Sequence, residues 1–111
     1  MKDKFLPIGT VVLLKGATKK VMITSYLIFA KGQGNDKKMY DYGGCPYPEG
    51  IIESNFAVGF DHSKIDKVIH MGYTDEEGEA LNKALLDSEK EIKDTKTRYL
   101  CLKEKYSIYK N

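Results

Sequence analysis

At 111 residues, with eighteen basic against sixteen acidic side chains and a net charge of +2, the chain has material for one domain and too even a charge for a dedicated nucleic-acid binder. Arg98 is the single arginine, and base readout and bidentate phosphate contacts favour arginine. The longest mostly apolar stretch, Val21 to Ala30, is broken by Thr24 and Ser25 and falls far short of the roughly 20 residues that cross a bilayer, so no membrane-spanning helix is expected.

Met1 to Thr10 has a charged start but neither a sustained hydrophobic region nor a small-residue cleavage pattern, which predicts a cytoplasmic protein. Thr10 to Lys15 is a short β-branched run, and Val21 to Phe29 is again rich in strand formers. The two read as a hairpin with Gly16 at a positive-φ position. Val11, Val12, Leu13 and Leu14 are apolar without alternation, so both faces of that strand should be covered.

Lys31 to Lys38, with Gly32 and Gly34, reads as an exposed loop; it lacks the third glycine of a dinucleotide site and the Gly-Lys-Ser/Thr of a triphosphate site. Met39 to Tyr42 resumes a strand, which should stop at Gly43-Gly44-Cys45-Pro46-Tyr47-Pro48-Glu49-Gly50, where glycine and proline signal turns. Ile51 to Phe60 can supply another strand, Asp61 to Asp66 a helical turn capped by Asp61, and Lys67 to Tyr73 a last strand.

Thr74 followed three residues later by Glu77 is a capping-box pattern, so a helix should begin at Thr74 or Asp75 and could run to about Tyr109. Along it Leu81, Leu85, Ser88, Ile92, Thr95, Tyr99, Leu102 and Tyr106 alternate steps of four and three, the period of a coiled-coil seam. A seam this short needs cover: its own sheet, a second copy, or another protein's helix. Leu81, Leu85, Ile92, Tyr99, Leu102 and Tyr106 are therefore the expected partner-binding residues.

Catalytic or metal chemistry is not expected. His62 and His70 lie in no metal-ligand spacing, and Cys45 and Cys101 read as reduced structural thiols. A triad of Cys45, a histidine and Asp41 or Asp61 has no nucleophile signature around it. Tyr40, Tyr42, Tyr47 and Phe56, near Lys37 and Lys38, suit core packing better than a stacking platform for single-stranded nucleic acid.

The expected architecture is α+β: a small twisted antiparallel sheet or partly open β-barrel over residues 1–73, then one long amphipathic helix over 74–111. Three groups of residues resemble a known family: Phe5 to Gly16 with Val21-Met22-Ile23; Tyr40-Asp41-Tyr42 with Cys45-Pro46-Tyr47-Pro48-Glu49-Gly50; and Ile65-Asp66 with Gly72-Tyr73. In this order they resemble the Gram-positive domain of unknown function 4176. The resemblance spans about residues 5 to 77 and leaves the rest of the helix unmatched. It implies type VII secretion loci beside LXG toxins, no catalytic residues or cofactor, and an accessory or chaperone-like role in binding a secreted toxin or its targeting region. A small-barrel nucleic-acid binder and a toxin-neutralising immunity protein are the alternatives, and a homo-oligomer through the helix is a further possibility.

Overall fold

The structure, a computed structural model, describes residues 5–31, 37–53 and 58–88. Within them run β1 (Val11–Leu14), β2 (Lys20–Lys31), β3 (Lys37–Pro46), β4 (Val58–Phe60), a 3-10 turn at His62–Lys64, β5 (Ile65–His70) and α1 (Glu76–Ser88). The strands form one antiparallel sheet in the order β4-β3-β2-β1-β5, so the fold is α+β with an open sheet and a helix after it. Among the described residues, no helix is long and apolar enough to cross a membrane.

The short path between the two edge strands dictates the sheet's shape. In a flat sheet the four spacings from β4 to β5 would measure about 19 Å. The five residue steps from Phe60 to Ile65 reach only about 17 Å when extended, and the 3-10 turn shortens them further. The sheet must curl. Accordingly β2 and β4, with β3 between them, still approach within 8 Å between Cα atoms, closer than two flat spacings of about 9.6 Å.

The curl creates a concave side filled by Val12, Leu14, Val21, Ile23, Leu27, Tyr42 and Phe60 from the sheet, Phe5 and Leu6 from the N-terminal arm and Leu85 from α1. In β2 the pairing slips at Thr24: Ile23 faces Gly44 but Ser25 faces Gly43, so two residues oppose one. Leu27 then takes φ 48, a conformation that costs a leucine energy. The bend lets the sequence neighbours Tyr26 and Leu27 both reach the core, which a regular strand forbids.

Gly43 to Pro46 remain in β3 instead of turning, which corrects the expected end of that strand. Both neighbours supply the reason: Gly43 and Gly44 pair with β2 on one side and with Gly59 and Val58 of β4 on the other. A Cβ on Gly44 would stand 2.6 Å from Val21 Cγ1 and 2.7 Å from the Met22 carbonyl oxygen. The missing side chains are thus the space that the curled sheet uses. Conversely Ile51 and Ile52 are exposed outside any strand, and β4 is confined to Val58–Phe60.

Tyr42 is the hub of the core. Its ring centroid lies 5.7 Å from Phe5, 6.1 Å from Tyr26 and 5.5 Å from Phe60. Its hydroxyl accepts the Leu6 N–H at 3.0 Å and lies 2.8 Å from His62 Nδ1. Asp61 does not cap the 3-10 turn as the sequence suggested: the His62 N–H donates to Asp41 Oδ2 at 2.8 Å, while Asp61 Oδ1 accepts the Asp41 N–H at 3.2 Å. The two aspartates each satisfy the other segment's backbone, which fastens the crossover to β3.

Two substitutions probe this account. Gly44→Ala should cost about 1–3 kcal/mol by overpacking, read as a lower urea midpoint with an unchanged slope; an unaltered midpoint would remove the close-approach explanation. Tyr42→Phe keeps the ring but leaves the Leu6 N–H without its acceptor, an expected loss of about 1–3 kcal/mol in the same measurement.

Candidate functional site

Beside the core, the N-terminal arm, the segment between β5 and α1, and the first two turns of α1 enclose a groove of about 360 Å³. Phe5 and Tyr26 line it, packed edge to face at 5.5 Å and 72°. The Tyr26 hydroxyl donates to the Leu6 carbonyl at 2.6 Å. Burial pushes its pKa up to about 12, so the phenol stays a neutral donor.

The wall of the groove opposite the sheet is α1, and Asn82 holds the arm to it. Its side-chain oxygen accepts the Phe5 N–H at 3.2 Å and its amide donates to the Phe5 carbonyl at 2.7 Å, as a neighbouring strand would. At the far side Gly72 presses on the arm: its N–H donates to Thr10 Oγ1 at 2.9 Å, and a Cβ there would stand 2.8 Å from the Thr10 nitrogen. Ile8, Met71 and Tyr73 line the mouth at 46%, 52% and 80% exposure.

The acidic rim comes from the start of α1. Asp75, rather than Thr74, is the cap: its Oδ1 accepts the Gly78 N–H at 3.0 Å, and its carbonyl takes the first helical bond, from Glu79 N–H, at 2.9 Å. Its Oδ2 accepts from the Tyr73 hydroxyl at 3.0 Å. The Gly78 N–H first, and the Tyr73 hydroxyl after it, hold the Asp75 carboxyl below its ordinary range, while the same bond raises the Tyr73 phenol. Glu77 and Glu79 complete the rim, and among the described residues no basic side chain lines the groove.

Of the expected partner-binding residues, Leu85 lies in the chain's own core at 1% exposure and Leu81 packs partly buried against it, with one side on the groove. The seam's own sheet therefore covers its beginning. Ile92, Tyr99, Leu102 and Tyr106 lie outside the described residues, as do Cys101 and Phe56. Met71 and Asn82 were not singled out from the sequence, and Ile8 and Tyr73 entered only within the segments that carry the family resemblance. Only tertiary placement distinguishes them from ordinary loop and surface positions.

The remaining candidate residues are dispersed. Cys45 is buried with a free thiol, His62 is held against Tyr42, and His70 is exposed on β5 near a second cavity with Val11, Lys20, Tyr47 and Ile69. Among the described residues no three His, Cys, Asp or Glu side chains could share a metal ion. Tyr42 and Tyr40 are 0% and 8% exposed and Tyr47 is 45% exposed, so the expected tyrosine cluster offers few open ring faces.

The Asp75 cap carries a pH signature. A carboxyl lowered by folding adds stability above its unfolded pKa of about 4 and loses it as pH falls through the lower folded value. Asp75→Ala should therefore melt below wild type at neutral pH, and the gap should close in acid; a gap independent of pH would show that the cap bond is not its source.

No curated protein and no solved structure matches this chain. A family model with the description "Domain of unknown function (DUF4176)" matches residues 5–81. That range contains all five strands, the arm, the acidic rim and the helix up to Leu81. The match spans more than half of the 111 residues, and the chain belongs to the DUF4176 family.

Proposed function

We propose that this protein is an accessory or chaperone-like factor of type VII secretion that binds an LXG toxin or its targeting region in the cytoplasm, and that it acts by binding rather than by catalysis. The single observation that carries a binding role is the exposed apolar mouth of the groove, formed by Ile8, Met71 and Tyr73. Exposed apolar side chains gathered on one concavity mark interaction surfaces more often than scattered ones do. Membership of the DUF4176 family supports the secretion setting through the resemblance described above.

Edge strand β5 adds a second means of contact, with Val68 and Ile69 at 40% and 43% exposure along it. A catalytic reading finds less support, since the Cys45 thiol is buried. The nucleic-acid alternative is weakened by the burial of Tyr40 and Tyr42.

Co-expression with an LXG toxin from the same genome tests the proposal. The expected outcome is a complex that survives size exclusion, together with loss of toxin export when the gene is deleted. Absence of any complex would sink the reading. A complex that protects cells from the toxin without affecting export would replace it with the immunity alternative.

A further inference from the structure

The groove's chemistry narrows what the partner presents to it. Its mouth is apolar, through Ile8, Met71 and Tyr73, and its rim is acidic, through Asp75, Glu77 and Glu79, with no basic side chain among the described residues of the lining. Acids at a helix start complement its dipole, so their presence alone says nothing about a partner. Their setting does. Asp75 spends both oxygens on the cap and on Tyr73. The ion pairs among the described residues are Lys19–Glu49 and Lys38–Asp61, and neither neutralises Glu77 or Glu79. On a chain of net charge +2, this is an acidic edge without an ion pair among the described residues, beside exposed apolar side chains.

Both features are satisfied at once by an occupant with apolar side chains flanked by lysine or arginine. We infer that the groove between the N-terminal arm and α1 is the docking site for a cationic amphipathic segment of the toxin partner. The inference rests on the accessory-factor reading and goes beyond it by assigning the surface and the chemistry of the segment. Apolar side chains would enter between Ile8, Met71 and Tyr73, and the cations would lie over Glu77 and Glu79.

The test compares toxin binding by the full-length wild type, by Ile8→Ser with Tyr73→Ala, by Glu77→Lys with Glu79→Lys, and by Ile51→Asp. Ile51 is 64% exposed and outside the groove, so it serves as the control. Circular dichroism melts establish that each variant folds, and the apolar and charge variants alter separate positions, so failure of one pair to fold leaves the other. Each groove variant should weaken binding by about tenfold or more while the control does not. The wild-type affinity should fall as salt rises, and the charge variant should lose that dependence.

Groove variants that bind as wild type overturn the inference and leave the accessory role standing. A wild type that binds no toxin overturns both. Groove variants that change the oligomeric mass but not toxin binding assign the groove to a second copy of this chain, and that too overturns the proposal.

Discussion

The crossover from Phe60 to Ile65 is the constraint on which the rest of the molecule depends. It joins the two edges of a five-stranded sheet with too little chain to span the sheet if it lay flat. Curling is the geometric answer, and the reciprocal Asp41 and Asp61 bonds tie the crossover to β3. In each bond a carboxylate accepts from a backbone N–H, one of the 3-10 turn at His62 and one of β3 at Asp41.

Curling explains features that look unrelated in the chain. It requires close approach at the sheet's middle, where Gly43, Gly44 and Gly59 leave room for Val21, Ile28, Phe60 and Tyr40. It requires a bend in β2, provided by the slip at Thr24 and the left-handed Leu27. It also leaves a concave face too deep for the strands' own side chains to close. Phe5, Leu6 and Leu85 fill that space from outside the sheet.

The groove follows from how those outside elements meet. Arm and helix are held together by polar bonds, through Asn82, while their apolar side chains point to the core. Beyond the last core contact the two diverge, and Met71 to Asp75 crosses the gap between them. Ile8, Met71 and Tyr73 lie at the surface there. An apolar concavity set in a hydrogen-bonded frame suits recognition, since less conformational freedom is lost when a partner is bound.

Much of this was legible in the residues before any coordinates. β-branched runs marked the first hairpin, Gly16 its positive φ, and the Thr74 to Glu77 spacing the neighbourhood of a helix start, because each signal depends on local sterics and local hydrogen bonding. The misreadings share one cause. Gly43 to Pro46 carries turn residues, yet pairing with strands on both sides keeps it extended; the Thr74 capping box yields to Asp75; and Asp61 serves a distant backbone N–H instead of its own turn. A heptad seam likewise says that Leu81 and Leu85 need cover without saying what covers them. Sequence alone determined the strands, the helix and the need to bury their apolar faces, because those follow from side-chain period and local propensity. Tertiary structure alone decided that the sheet stays open and curled, that Leu85 closes its concave side, and that Ile8, Met71 and Tyr73 converge on one groove, because distance in space along a curled sheet is not encoded by distance along the chain.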